Sequence, residues 1–125
     1  MIHRTISKTQ LAQLRAIVAR KGTYARNLGV AVLEALEAER KLLTEDPKDL
    51  LLRLGAVRKE YLDHQAFYVA RIATADAEQR AAGEVAMREA GVDPDAGEFT
   101  IDPLNGLVLQ LLKGQWELIE YQETA

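Results

Sequence analysis

The chain has 125 residues, 28% of them charged and 48% apolar, with a formal net charge of −3. That length suits one domain with a small core, and the balance excludes both a disordered chain and a strongly basic nucleic-acid coat protein. It has no cysteine, hence no disulfide, thiolate nucleophile or cysteine-held metal, which also fits a reducing compartment.

The distribution of charge says more than its sum. Six Lys or Arg and no acid fall between Met1 and Leu33, whereas Glu89 to Ala125 holds eight acids against Lys113 alone. Oppositely charged ends imply either that they meet in the fold or that they attract another protein. The opening MIHRTISKTQ lacks the apolar run of a signal peptide, and no window nears the ~20 apolar residues of a membrane span. A soluble, cytoplasmic chain with no membrane partner is expected, with His3 in a mobile terminus.

Ser7 or Thr5 can cap a first helix, since a side-chain oxygen there accepts from a free backbone N–H. Leu11, Leu14, Ile17 and Val18 then form an amphipathic stripe, which resumes after Gly22-Thr23 at Ala25, Leu28, Val32, Ala35 or Leu36, and Leu42 or Leu43. Glycine is a poor helix former and Thr23 a fair cap. Residues 8–43 therefore read as one kinked helix or two helices meeting at Gly22, with a kink or break expected there. Asp46-Pro47 reads as the cap and first turn of the next helix.

From 47 to 90 the apolar residues Leu50, Leu54, Val57, Tyr61, Tyr68, Ile72, Ala75, Ala82 and Ala86 keep steps of three and four, with Gln65 and Gln79 filling the gaps. Such spacing holds one side chain per turn on one face of a helix about 65 Å long. So short a connection makes the two arms an antiparallel hairpin. Folding about residues 45–46 would bring Glu34 and Glu37 towards Arg53 and Arg58, and Arg26 towards Asp63. A second apolar stripe, Leu51, Leu62, Phe67 and Val69, cannot be covered by the same partner helix.

Gly91 and Pro94 stop the long helix. Glu98 to Asp102 alternates as a strand, Pro103 to Gly106 is a turn, Leu107 to Leu112 is apolar and β-compatible, and Lys113-Gly114 is a second turn. Gln115 to Tyr121 is a third strand or a short helix. Trp116, the sole tryptophan, is expected to anchor this segment (98–121) on the helices. The run GVDPDAGEFTIDPLNGLVLQLLKGQW resembles the ends of small helix-rich proteins of tailed bacteriophages, through Gly91, Asp93, Pro94, Phe99 to Asp102, Gly106, Val108, Gly114 and Trp116. That resemblance implies a virion component or an accessory protein acting by contact, found in a bacterial cytoplasm or in the virion, and implies no catalytic residue.

Catalytic chemistry is not legible. His64 lies at or beside the seam, next to Asp63, and reads as a histidine satisfied by a carboxylate or carbonyl. Glu60, Asp63 and His64, faced by Glu34 and Glu37, lack the paired Glu-x-x-His motifs of a di-metal bundle. No glycine-rich phosphate loop follows a strand. Arg15, Arg20, Lys21 and Arg26 surround Tyr24, but the following helix soon turns acidic, so nucleic acid is an unfavoured partner.

The expected molecule is mainly α: an antiparallel helical hairpin of two or three helices with a C-terminal β-hairpin or three-stranded meander. Its expected role is non-enzymatic, with no cofactor or metal, as a structural subunit contacting itself or other assembly subunits. The contacts would run through Leu51, Leu62, Phe67 and Val69 and the basic residues Arg15, Arg20, Lys21 and Arg26. The alternative is a regulator that binds nucleic acid or the transcription machinery through the basic first helix or the acidic hairpin tip.

Overall fold

A computed structural model describes residues 2–121. In chain order the elements are β1 (Ile2–His3), α1 (Lys8–Glu45), α2 (Leu50–Glu89), a 3-10 turn (Pro94–Ala96), β2 (Phe99–Ile101), β3 (Val108–Leu112), β4 (Gln115–Leu118) and β5 (Glu120–Tyr121). The two helices, of 38 and 40 residues, form an antiparallel pair bridged by Glu39–Arg58 and Lys21–Asp76. The chain divides into two compact units, Met1–Ala19 with Ala77–Ala125, and Arg20–Asp76.

The unit built from both ends of the chain holds most of the core. Ile6, Leu14, Ile17, Ala82, Ala86, Met87, Val92 and Val108 are buried, Val108 completely. Ser7 caps α1, its Oγ accepting from the Gln10 N–H at 3.2 Å, while Thr5 instead bridges to Leu107. At the other end, the Val92 N–H donates to the Met87 carbonyl and the Gly91 N–H to that of Arg88. This pair of bonds is the Schellman closure that a glycine at the end of a helix permits. Gly91 has φ +82, and a Cβ there would lie 2.7 Å from Nη1 of Arg4, whose guanidinium donates to the Ala90 carbonyl.

The expected meander is present, with antiparallel order β2-β3-β4. Its third strand is a strand and not a helix, and Leu111 pairs with Trp116 and Leu109 with Leu118. Leu112 faces Gln115 across a two-residue turn in which Lys113 (φ 52) and Gly114 (φ 78) both take positive φ. Such a turn matches the right-handed twist of its strands.

Two expectations fail in this unit. The N-terminus is not loose: β1 pairs with β5. Arg4 and Ile6 also exchange backbone bonds with residues 106, 108 and 119. These bonds leave no hydrophobic pattern for the sequence to show. Trp116 is no anchor, because it is 49% exposed on a strand whose residues are all exposed. Strand alternation places its ring on the side of β3 that carries Leu111, not on the side of the buried Val108.

In the second unit, Arg20–Asp76, the helices meet along the predicted stripe. Leu54 and Ala75 are buried, and Leu50, Val57, Tyr61, Gln65, Tyr68 and Ile72 are half-buried. Opposite them, Leu28, Val32, Ala35 and Leu42 are half-buried, while Leu36 and Leu43 point outward. Lys21 and Tyr24 occupy the stripe positions above Leu28, where Ala25 was expected. Steps of three and four over this length make the seam a heptad repeat.

The expected break at Gly22 is absent, and α1 runs through it with Thr23 inside the helix rather than capping one. Once a helix is nucleated, each residue adds a bond, so one glycine costs about 1 kcal/mol without terminating it. Asp46 is not the cap of α2. It closes α1 with φ 48, its N–H donating to the Leu42 carbonyl. Pro47 to Asp49 are spent on the connection, so α2 starts at Leu50.

That longer connection shifts the register. Arg58 meets Glu39 at 2.9 Å, and Arg53 turns to Asp49, Glu37 to Arg40 and Asp63 to Lys59 on their own helices. None of the expected interhelical pairs of Glu34, Glu37 and Arg26 forms. Exposed ion pairs are worth too little to overrule the packing of the seam.

Candidate interaction surfaces

Val30, Leu33, Leu36, Leu43, Leu51, Leu52, Leu62, Phe67 and Val69 all lie in the Arg20–Asp76 hairpin and are all exposed. The Glu39–Arg58 bridge defines one of its faces. Leu36 lies three residues before Glu39 and Leu43 four after it. Leu51 lies seven before Arg58 and Leu62 four after it, with Val69 seven beyond that. Side chains at such spacings share a helix face. Leu36, Leu43, Leu51, Leu62 and Val69 are therefore on one side of the hairpin. An open, mostly apolar cleft of about 270 Å³ lies there, lined by Val32, Ala35, Leu36, Glu39, Arg58 and Tyr61.

Phe67, which the sequence grouped with Leu51, Leu62 and Val69, does not join them. Five residues past Leu62, it points to the other side of α2. There the Arg71 guanidinium sits 4.2 Å from its ring centre and 5.9 Å from that of Tyr24. Tyr68 meets the Phe67 ring edge-on at 5.1 Å. This cluster is a cation–π sandwich of the kind that ties adjacent helices.

The four basic candidates do not all belong to one unit. Arg15 belongs to the unit of the chain ends, where its guanidinium donates to the carbonyls of Pro103 (2.7 Å) and Leu104 (2.6 Å). Lys21 bridges to Asp76 at 2.6 Å. Arg20 and Arg26 are exposed on α1. The basic and acidic ends do meet, as the charge pattern suggested. Arg4 and Arg15 nonetheless bind backbone carbonyls rather than carboxylates, and a pattern of charges cannot show that.

Arg15 clasps a loop ordered by Asp102. That carboxylate accepts from the Leu104 N–H and from the Asn105 side-chain amide, each at 2.9 Å. The Leu104 bond first and the Asn105 bond second hold its pKa below the ordinary carboxylate value. The loop is a structural turn, with Gly106 at φ +68, where a Cβ would lie 3.2 Å from Leu11 and 3.4 Å from Ile6.

His64 is exposed and lies 3.8 Å from Glu60, not against Asp63. His3 lies 3.6 Å from Glu120. Among the described residues no cluster of three His, Asp or Glu could hold a metal. No helix among them is long and apolar enough to cross a membrane. No family model matches the chain, and no curated protein or solved structure does either.

Proposed function

We propose that this chain is a non-enzymatic interaction subunit of a larger assembly, of the kind tailed bacteriophages encode, and that its Arg20–Asp76 hairpin makes the contact. One observation carries the reading: five large apolar side chains share one hairpin face and are at least half exposed. Large apolar side chains gathered on one exposed face mark a contact surface, because leaving them in water forgoes the free energy that burial releases. The resemblance of the C-terminal run to phage proteins supports the setting. Of the candidates for a nucleic-acid contact, Arg15 and Lys21 already have partners within the chain, which favours protein over nucleic acid.

Genetic complementation in the source organism tests this. A deletion should be rescued by the wild-type gene and by His64→Ala, but not by Leu62→Glu combined with Val69→Glu in a chain that still folds. Rescue by the double variant would overturn the contact reading, and loss of rescue with His64→Ala would promote a chemical role.

A further inference from the structure

The outward row of the hairpin has a composition that its own fold does not require. At seven-residue intervals it reads Gly22, Gly29, Leu36, Leu43 on α1 and Gly55, Leu62, Val69, Asp76 on α2. On a solvent-facing side of a two-helix pair these positions ordinarily carry charged or polar residues. Here only Asp76 does. Glycine is also the poorest helix former after proline. A Cβ added at Gly22, Gly29 or Gly55 would meet nothing within 4 Å, so nothing within this chain calls for the missing side chains. They leave room for a backbone approaching from outside.

Building on the interaction role above, we infer that the occupant is a second copy of this chain, lying antiparallel on the same face. The α1 row is complementary to itself in size. A two-fold axis between Gly29 and Leu36 sets Leu36 of each copy over Gly29 of the other, and Leu43 over Gly22. An isologous contact needs this reciprocity. Charge agrees: Glu39 and Arg58 on the face are bridged and sum to zero. The same axis brings the exposed Arg26 level with Glu39 of the other copy.

Area agrees as well. Leu36, Leu43, Leu51, Leu62 and Val69 are 58, 61, 86, 58 and 50% exposed. If each leaves on the order of 100 Å² in water, they offer roughly 500 Å² per copy, the apolar centre of an interface that buries about 800 Å² per partner when stable.

Sedimentation equilibrium of the full chain, from about 1 to 200 μM, tests this. The expected limit at high concentration is twice the 13.9 kDa chain mass. Leu36→Glu should remain at the chain mass with an unchanged helical circular dichroism spectrum. Gly29→Leu should weaken association at least about tenfold, although it improves helix propensity and has room within the chain, so misfolding does not explain the loss.

Because the chain has no cysteine, an oxidised mixture of Gly29→Cys and Leu36→Cys should yield the mixed disulfide at least about ten times faster than either like pair. Wild-type protein at the chain mass throughout, or a dimer indifferent to both Leu36→Glu and Gly29→Leu, overturns the inference. A dimer in which like pairs cross-link faster overturns the antiparallel arrangement. Neither outcome alters the complementation result, so a failure here is separable from a failure of the interaction role.

Discussion

The same two helices behave differently in the two units. Where α1 and α2 share a unit with the β segments, Leu14, Ile17, Ala82, Ala86 and Met87 are buried together with Ile6, Val92 and Val108. Between Arg20 and Asp76 there are only two helices, and only Leu54 and Ala75 are buried. A pair of helices can cover one stripe on each, and a third layer is needed to close a core. The comparison teaches that the heptad seam sets the pairing, while the extra layer supplies most of the burial. The hairpin lacks that layer within its own chain.

Mutation should break the comparison most visibly in the core. Ile17→Ala should destabilise the chain by about 2–4 kcal/mol in thermal or urea unfolding, through lost transfer energy and a residual cavity. Leu51→Ala, at a side chain 86% exposed, should cost less than about 0.5 kcal/mol under conditions where the chain is monomeric. Equal costs would mean that the hairpin face is as covered as the core.

A smaller effect separates the basic residues. Arg15→Ala should cost about 1 kcal/mol, because two carbonyl bonds to an exposed guanidinium are lost. Arg26→Ala should leave monomer stability within about 0.5 kcal/mol of the wild type. A reversed order would return Arg15 to the partner surface.

Much of this division was legible. Every position named for the α2 stripe from Leu50 to Ala86 is buried or half-buried, because steps of three and four with large residues admit one reading. Gly91 with Pro94 marked the helix end for a similar reason. Ser7 was one of the two caps the sequence offered, and the two turns of the meander were legible as turns.

What was not legible depends on partners distant in sequence. The register turned on the left-handed Asp46 and on three residues spent in the connection. Alternation along β4 cannot say which face of the sheet is covered, so Trp116 read as an anchor. The clasp of Arg15 and the strand at Ile2–His3 rest on backbone groups, which carry no residue-type signal. The shared face of Leu36 and Leu62 could have been found from the seven-residue recurrence of Gly22, Gly29, Leu36 and Leu43, had each arm been read as a heptad.

Two finer effects sharpen the account of the unit of the chain ends. Lys113 holds φ 52 in a turn that favours Asn or Gly. Lys113→Asn should therefore stabilise the chain by up to about 1 kcal/mol in thermal unfolding. Asp102 has a folded-state pKa below its unfolded value. Its contribution is therefore full above the unfolded pKa and is lost as pH falls through the folded one. Asp102→Asn should flatten that acid limb of stability, and an unchanged limb would show that the carboxylate does not order the loop.

Amide hydrogen exchange, followed as a function of protein concentration, tests the central contrast most directly. Protection of the buried segments around Leu14, Ile17, Ala86 and Val108 should stay the same on dilution. Protection of the hairpin around Leu36 and Leu62 should fall as the second copy dissociates, because those turns lose the layer that covers them. Hairpin amides as protected as the core, and equally so at every concentration, would contradict the account.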